Sequence, residues 1–503
     1  MSLESSTDTM KSAKRKEKLT RGLLFAISAA SLGSFQTGYA LWLVHNSSAV
    51  LLDFPNSTFE RTPTPTIPKY RQRLLKMSTM IYTIGGILGA ILIGYLVDTW
   101  GRKRALVVAN YVNIFASFFV VLSRLTKELK FAIFARFVFG TSAGITFCVV
   151  PLYIVEISPP HKRGSLFMIS ILCLTFGAFI AQLISFRESL NIVTGAAFYM
   201  SLTGIVAICN IIMWHYVPES PRFLFIQQED ESAAREALKK LRGESNLEEE
   251  LEEMRVESIC ERDKKHLNAV KLLSCRDLQK PLLSAVLLMM GNQLTGINGV
   301  YVYAERVYTN MRFEGRHIRF SLIVVNVIMH VALIIMTNFI DYMGRRFLLL
   351  LGFMVCSITC IILAVTLEFQ AQYMSVMPYF SSFVIIIFLI GHMIGPGPLP
   401  FLLTGELFLQ SSRGTAYMLS GFMNWLTRTL VSVIFIFLEP EIGPYSLVLF
   451  WPFCVGIFIY VFKKVPETKG RTFVEIWKGT GSPKRMQKKS SRKKDKSQPK
   501  RVK

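Results

Sequence analysis

The chain has 503 residues, of which 51% are hydrophobic and only 18% are charged, and its mean hydropathy is +0.39. This balance excludes an ordinary soluble protein and predicts a membrane protein with many spans. The net charge of +23 would indicate a nucleic-acid partner in a soluble protein, but here the basic residues gather at the termini and in short links between apolar runs, so we expect no such partner.

Apolar runs of about twenty residues, the length of a helix that crosses a bilayer, recur twelve times along the chain. They lie near residues 22–45, 78–97, 105–123, 131–153, 166–186, 195–216, 281–309, 318–339, 346–367, 378–405, 414–437 and 445–463. The first run is too long and too polar for a cleavable signal peptide. The sequence therefore predicts an all-α membrane protein with twelve transmembrane helices.

Lysine and arginine crowd the N-terminus, the links "GRKRA", "HKRG", "GRRF" and "SSRG", and the tail after the last span. Basic residues near span ends mark the cytoplasmic side. We therefore expect both termini in the cytoplasm and residues 46–75 outside. That outer segment holds two glycosylation patterns, of which Asn56 is favoured because Asn46 lies too close to the bilayer.

Three motifs occur twice in the same order, at nearly one spacing. Asp341 of "DYMGRRF" follows Asp98 of "DTWGRKR" by 243 residues, Glu406 follows Glu156 by 250, and "PETKG" follows "PESPR" by 248. Such a repeat predicts two six-helix halves with a solute site at their interface. The predicted units are an N-terminus (1–20), a first half (21–216), a cytoplasmic helical linker (217–280), a second half (281–465) and a basic tail (466–503).

The linker is charged and periodic. The run "EDESAAREALKKLRG" predicts an amphipathic helix that ends at Gly243, and "LEEELEEMRVE" continues as a helix. Two interpretations stay open: a solvated connector, or a bundle that docks under both halves in one conformation.

Carboxylates and guanidiniums at the cytoplasmic helix ends can form pairs that tie neighbouring helices together. We predict that they hold while the inner face is closed and break when it opens; topology signalling alone is the alternative. The predicted gating residues of this kind are Asp98, Arg102, Glu156, Arg163, Asp341, Arg345, Glu406 and Arg413.

The eight cysteines fall almost entirely within spans or in the linker. This placement predicts no extracellular disulfide framework. We also expect no metal, no cofactor and no enzymatic activity.

A family resemblance rests on several motifs distributed over residues of about 20 to 478. The chain resembles the sugar porters of the major facilitator superfamily, specifically the animal facilitative hexose transporters, in "PLYIVEISPPHKRGSL", "PESPRFL", "NQLTGIN", "MGRR", "GPGPLPFLLTGELF", "NWL" and "PETKGRTF". The resemblance implies the major facilitator fold and transport of a hexose across the plasma membrane.

The same resemblance implies a midplane site built mainly from amides. Asparagine and glutamine offer donors and acceptors to hydroxyls without a charge, although they also serve as packing contacts between membrane helices. The implied substrate-binding residues are Gln182, Asn292, Gln293, Asn298, Asn326, His392, Asn424 and Trp425.

Several positions depart from the pattern of glucose-selective members. The usual glutamine pair is Asn292 followed by Gln293, and Phe401 replaces a tryptophan. His392 matches the branch that includes fructose transporters, although such a residue could equally be a packed one. Ala40 stands where proton-linked relatives carry an acid, so facilitated diffusion is expected.

Gates are predicted at Tyr303 and at span ten, which Pro396 and Pro398 interrupt. Arg428 lies deep in span eleven, four residues after Asn424 and so on the same helix face. A guanidinium at this depth costs about 3 kcal/mol, and it is too far from the outer end to snorkel. Three explanations stay open: a partner in Glu305, an anionic substrate, or impaired transport.

The sequence thus predicts a uniporter for a hexose, with fructose favoured over glucose. The alternatives are an organic-anion uniporter for urate or dehydroascorbate that uses Arg428, and a non-transporting sensor or scaffold. The basic tail is expected to stay disordered and to attract anionic lipids of the inner leaflet.

Overall fold

The computed structural model describes residues 19–45, 67–126, 128–184, 196–243, 247–261, 269–310, 315–369 and 376–479. These residues form helices and contain no strand, as predicted. The α-helices are α1 (Arg21–His45), α2 (Ile67–Trp100), α3 (Arg102–Thr126), α4 (Leu129–Ile157), α5 (Arg163–Ile184), α6 (Ala196–Tyr216), α7 (Glu231–Arg242), α8 (Leu247–Glu261), α9 (Ala269–Ser274), α10 (Arg276–Leu294), α11 (Ile297–Asn310), α12 (Gly315–Met343), α13 (Arg345–Phe369), α14 (Met377–Ile394), α15 (Leu399–Leu407), α16 (Gln410–Ile442), α17 (Trp451–Lys464) and α18 (Phe473–Gly479).

Every predicted span corresponds to a helix or to a broken helix. The first six spans are α1 to α6; in the second half, α10 and α11 form span seven, α14 and α15 form span ten, and a 3₁₀ segment, Gly443–Phe450, leads into α17 as span twelve. Within the described residues, eight of these spans are long and apolar enough to cross a membrane by composition alone. Of the other four spans, α6 contributes a shorter apolar stretch, Ser201–Tyr216, and α1, α16 and the α10–α11 pair do not meet this length and composition.

Two spans are interrupted where the sequence predicts it. Helix α10 ends before Gly296, whose φ of +81° suits glycine, and α11 begins one residue later. Helix α14 ends before the segment "GPGP", where two prolines lack the N–H groups that would continue the helix. Both breaks place irregular backbone inside the protein, where neighbouring side chains can satisfy it.

The linker forms the two predicted helices. Asp230 caps α7 by accepting the Ala233 N–H at 2.9 Å, and the helix ends at Gly243, whose φ is +76°. Arg242 donates to the Ile157 carbonyl of the first half at 2.7 Å, while both carboxylate oxygens of Glu261 accept the Ser411 N–H of the second half at 3.0 and 3.2 Å. The linker therefore contacts both halves, as in the docked interpretation. We call this end of the molecule the linker face.

The segment after α17 also packs against the linker face. Phe473, Ile476 and Trp477 of α18 are buried. The packed part of the predicted tail thus extends to Gly479, and the basic stretch 480–503 lies outside the described residues, as does Asn56.

Candidate transport site

Four buried arginines of the two halves lie at the linker face, and within each half one of them pairs with a glutamate. Arg102 lies 3.0 Å from Glu156 in the first half. Arg345 lies 3.4 Å from Glu406 in the second half and 3.1 Å from Asp341. All four members of the two arginine–glutamate pairs are essentially inaccessible to solvent. The two pairs occupy equivalent positions of the repeat.

A second set of contacts occurs once in each half, at the starts of α3 and α13. Each of these helices begins directly after a glycine turn. Gly101 and Gly344 have φ values of +90° and +88°. The Glu219 carboxylate accepts the Arg102 N–H at 3.0 Å, and the Glu467 carboxylate accepts the Arg345 N–H at 3.0 Å. The internal repeat of the sequence is therefore a repeat of contacts, with each "PE" glutamate capping one helix.

The remaining two arginines connect the halves to each other. Arg413 of the second half lies 3.7 Å from Glu156 of the first, and Arg163 of the first half lies 3.9 Å from Glu406 of the second. Asp341 accepts the Ser165 N–H at 2.9 Å across the same boundary. Each glutamate therefore stands between an arginine of its own half and one of the other half. In this conformation the linker face is closed.

Carboxylates of the linker extend this network of ion pairs. The sequence interpretation missed these linker carboxylates. Glu257 lies 3.5 Å from Arg413, pairs with Arg222 and accepts the Gln410 N–H at 3.1 Å. Burial alone would lower the pKa of Arg222, but Glu253 and Glu257 raise it above its ordinary value. Burial, and then the neighbouring Glu257, raise the pKa of Glu261 to about 8, although the Ser411 N–H opposes this shift.

Phe473 of α18 stands at the centre of the cluster. Its ring centroid lies 3.9 Å from the guanidinium carbon of Arg163, 4.0 Å from that of Arg413 and 4.7 Å from that of Arg222. Cation–π attraction to a desolvated guanidinium can reach about 2 kcal/mol. The motif "GRTF" contains this residue, but nothing in the local spacing indicates its partners.

Amide side chains meet between the linker face and the opposite face, where α10 and α16 come together. The Gln293 Nε2 donates to the Asn424 Oδ1 at 3.2 Å and to the Asn292 Oδ1 at 3.3 Å. Asn292 in turn donates to the Gly397 carbonyl at 2.9 Å, within the break between α14 and α15. Asn424, Gln293 and Asn292, all predicted site residues, therefore form one chain of hydrogen bonds. The chain ends at Gly397, between the two prolines of the predicted gate in span ten.

A second amide contact joins the two halves. Asn326 of α12 donates to the Gln182 Oε1 of α5. His330, one turn further along α12, lies with its Nδ1 2.7 Å from the Asn326 carbonyl and its ring 5.5 Å from that of Phe179. The sequence interpretation missed His330, although a histidine one helical turn from a predicted site residue is a usable signal.

Several buried polar atoms near these amides have no hydrogen-bond partner within the described part of the chain. They include one acceptor and two donors: the Gln293 Oε1, the Asn298 Nδ2 and the Trp425 Nε1. Buried polar groups are normally hydrogen-bonded. A small molecule with several hydroxyl groups can satisfy both kinds of atom.

Trp425 brings the two halves together at the same level. Its ring centroid lies 6.0 Å from that of Tyr82 and 5.8 Å from that of Phe147, both in the first half. Gly86 allows this approach, since a Cβ atom there would lie 2.3 Å from the indole. The guanidinium carbon of Arg428 lies 5.7 Å from the centroid of the same indole.

Other predicted site residues lie beside these amides or beyond them. His392 is buried, with its Nδ1 3.2 Å from the Thr295 hydroxyl at the break of span seven. The Tyr303 hydroxyl donates to the Gly443 carbonyl at 2.6 Å, which ties α11 to the start of span twelve. The side chain of Glu305 lies outside the described residues, so its predicted pairing with Arg428 stays a prediction. All eight cysteines have free thiols, as predicted.

Comparison with protein families matches residues 26–478 to the family described as "Sugar (and other) transporter". The chain belongs to this family of transporters. It is 36% identical over 467 residues to the human "Solute carrier family 2, facilitated glucose transporter member 7", covering 92% of this chain and 90% of that protein. It is 37% identical over 464 residues to the rat "facilitated glucose transporter member 5", covering 91% and 92%. The predicted family and the absence of an enzymatic role are confirmed.

Solved structures confirm the major facilitator fold. The proton:xylose symporter XylE bound to 6-bromo-6-deoxy-D-glucose superposes with a TM-score of 0.78 at 20% identity, covering 90% of this chain and 98% of that one. The inward-open form of XylE from E. coli gives a TM-score of 0.64 at 21% identity, covering 90% and 98%. The chain therefore has this fold and is a multi-pass member of the "Sugar (and other) transporter" family.

Proposed function

We propose that the protein is a uniporter that carries a hexose down its gradient by alternating access. One observation carries this proposal: amides with unpaired donors and acceptors meet between two repeated halves, and buried cross-half ion pairs close the linker face below them. A neutral sugar would bind to the amides, and rocking of the halves would then break the ion pairs and expose the sugar on the other side.

Each element of this cycle has a residue assignment. Gln293, Asn298 and Asn424 would bind the hydroxyls, and Gln182 with Asn326 would separate or rejoin as the halves move. The backbone breaks beside Asn292 and at "GPGP" would allow spans seven and ten to bend, with Tyr303 as an outer latch. These breaks place irregular backbone next to the amides, where a gate must act.

We propose fructose over glucose as the preferred hexose. The support is the resemblance of His392 to the fructose-transporting branch, together with the departures at Asn292 and Phe401. Uniport is proposed because Ala40 occupies the first-span position at which proton-linked relatives carry an acid.

We also propose a plasma-membrane location, with the linker face and both termini in the cytoplasm. The basic links at that face support this orientation. Asn56 would then be glycosylated outside, and Asn56→Gln should abolish the mobility shift that a glycosidase produces on gels. A shift that persists in this variant would move the glycan to another site.

The basic tail beyond residue 479 would attract anionic lipid at about 1 kcal/mol for each basic residue near the surface. A peptide of residues 484–503 should bind anionic vesicles and not neutral ones. Equal binding to both would exclude the proposal.

Uptake into proteoliposomes tests the function itself. Purified protein should take up labelled fructose faster than labelled glucose, with saturation and without dependence on a pH gradient. Uptake that follows an imposed proton gradient would replace uniport by symport. Binding of fructose with no uptake of fructose, glucose, urate or dehydroascorbate would replace transport by sensing.

A further inference from the structure

Arg428 differs from the buried arginines of the linker face in its surroundings. Arg102, Arg163, Arg345 and Arg413 each have a carboxylate within 3.9 Å. Among the described side chains, no carboxylate forms an ion pair with Arg428. Its guanidinium carbon lies 5.7 Å from the ring centroid of Trp425. The cation is thus next to an aromatic ring and not next to an anion among the described residues.

Aromatic neighbours offset only part of the cost of a guanidinium within a membrane helix. A bound carboxylate would offset much more, because the planar guanidinium can donate two parallel hydrogen bonds to it. The guanidinium would need to be accessible from the cavity for this purpose. Arg428 is partly exposed as a whole residue, whereas the four arginines named above are buried. The proposal requires that this exposure faces the cavity.

The position of Arg428 places it next to the amide site. Asn424 is one helical turn away on the same face of α16, and its Oδ1 accepts from Gln293. The unpaired atoms of Gln293, Asn298 and Trp425 offer both donors and acceptors at the same level. One ligand could therefore bring hydroxyls to the amides and a negative charge to Arg428.

We propose that the substrate class of this site includes sugar acids, with the carboxylate bound by Arg428 and the hydroxyls bound by Gln293 and Asn298. This inference rests on the proposed function, because it assigns the charge of the solute carried at the same cavity. Since the amides take hydroxyls and the arginine takes the carboxylate, a hexuronate fits the combination better than a hexose, which leaves the cation unpaired.

Charge movement gives the proposal a direct signature. Uniport of a monoanion moves one negative charge across the membrane for each solute molecule. This holds whether the charge moves in the loaded or in the empty step of the transport cycle. Uptake of a hexuronate should therefore accelerate when the vesicle interior is made positive. Net uptake of glucose transfers no charge, so its total driving force does not change with potential.

The experiment compares two solutes that differ at one carbon. Proteoliposomes with a potassium-valinomycin potential are supplied with labelled D-glucuronate or labelled D-glucose. We expect saturable glucuronate uptake that an inside-positive potential increases, and a glucuronate-to-glucose uptake ratio that falls at least tenfold in Arg428→Gln. Arg428→Lys should retain part of this ratio, since it keeps the charge but loses the planar donor pair. Arg235→Gln, an exposed position of the linker, is the matched control and should leave the ratio unchanged.

Each remaining outcome decides between this inference and the proposed function. Uptake of fructose or glucose without glucuronate in the wild-type protein overturns the inference and leaves the proposed function intact. Glucuronate uptake without hexose uptake supports the inference and overturns the hexose assignment. An unchanged glucuronate-to-glucose ratio in Arg428→Gln overturns the role of Arg428.

Glu305 provides the competing explanation of the arginine. If the two residues form a pair, Arg428→Glu and Glu305→Arg should each destroy hexose uptake and the double swap should restore it. Restoration, combined with no glucuronate uptake by the wild-type protein, overturns the inference. Glucuronate uptake that persists in Glu305→Gln supports it.

Discussion

The linker face and the proposed solute cavity differ in how their buried polar groups are paired. At the linker face, four guanidiniums lie among Glu156, Glu406, Asp341 and Glu257, and each has a carboxylate within 3.9 Å. In the cavity, neutral amides predominate and several of their atoms lack a partner among the described residues. Some guanidinium N–H groups of the linker face, such as the Arg163 Nε and the Arg345 Nε, also lack a hydrogen-bond partner among the described residues, but their cations stand beside carboxylates of the protein. The unpartnered amide and indole atoms named above are neutral and have no such neighbour to account for them.

We infer that this difference separates the proposed latch from the proposed binding site. Breaking a buried ion pair is costly because it leaves an uncompensated charge, so the paired region favours one conformation of the two halves. Unpaired donors and acceptors favour whatever molecule can satisfy them. A transporter needs both, since the solute must be bound at one level while the path is closed at another.

Loss of both cross-half arginines should have the largest effect. In Arg163→Ala/Arg413→Ala, Glu156 and Glu406 each keep only the arginine of their own half. Because removing one partner of a buried ion pair costs about 3–5 kcal/mol, we expect turnover to fall at least tenfold, with a smaller change in hexose affinity. Uptake rates and equilibrium binding would be measured on the same preparation.

The control for this change is Arg235→Ala. Arg235 pairs with Glu248 on the exposed surface of the linker, where such pairs contribute about 0–1 kcal/mol. If the double variant has the turnover of the wild-type protein, the buried pairs do not act as a latch, and their residues serve only to set the orientation in the membrane.

The cavity should respond in affinity rather than in turnover. Asn424→Ala removes the acceptor of Gln293 and one proposed sugar ligand, so we expect hexose affinity to fall about tenfold, which is about 1.4 kcal/mol. Asn338→Ala is the matched control, because this exposed asparagine bonds only to the Ile334 carbonyl of its own helix among the described contacts. An unchanged affinity in Asn424→Ala would exclude it from the site.

Phe473 tests whether the latch depends on more than ion pairs. Phe473→Leu keeps an apolar side chain but loses the aromatic face between Arg163 and Arg413. We expect a few-fold loss of turnover and a lower melting temperature, since each cation–π contact contributes about 0.5–2 kcal/mol. Phe437→Leu, on an exposed part of α16, is the control. Equal melting temperatures for the two variants would contradict a role for the ring.

The smallest effect is expected at Glu261, where the linker meets α16. Its pKa is raised to about 8 in the folded protein. At a pH between the ordinary pKa of a glutamate and this value, the folded protein therefore keeps a proton that the unfolded chain has released. Stability should therefore fall as the pH rises from about 5 to 8. Glu261→Gln should flatten this pH dependence of the melting temperature. If the melting temperature of Glu261→Gln changes with pH as that of the wild-type protein does, another group is responsible for the pH dependence.

The sequence predicted the features that depend on neighbouring residues. Apolar runs indicated the spans, Gly243 indicated the end of α7, and "TGING" and "GPGP" indicated the two breaks. Repeated motifs at nearly one spacing also identified the charged residues of the linker face.

Contacts between distant residues could not be read from such patterns. Glu156 stands seven residues before Arg163, but it contacts Arg413 across the halves, because the repeat symmetry of the fold decides which arginine approaches it. Glu257 and Phe473 reach the same cluster from segments with no span of their own. The roles of the cavity residues in binding stay predictions.

The most direct test is a distance measurement across the linker face. Nitroxides would replace the exposed residues His161 of the first half and Lys464 of the second, on a chain whose native cysteines are substituted and whose uptake is verified. Electron–electron resonance should give a short distance in the wild-type protein and an added, longer distance in Arg163→Ala/Arg413→Ala. A distance distribution that is the same with and without these two arginines would contradict the conclusion that buried ion pairs hold the halves closed.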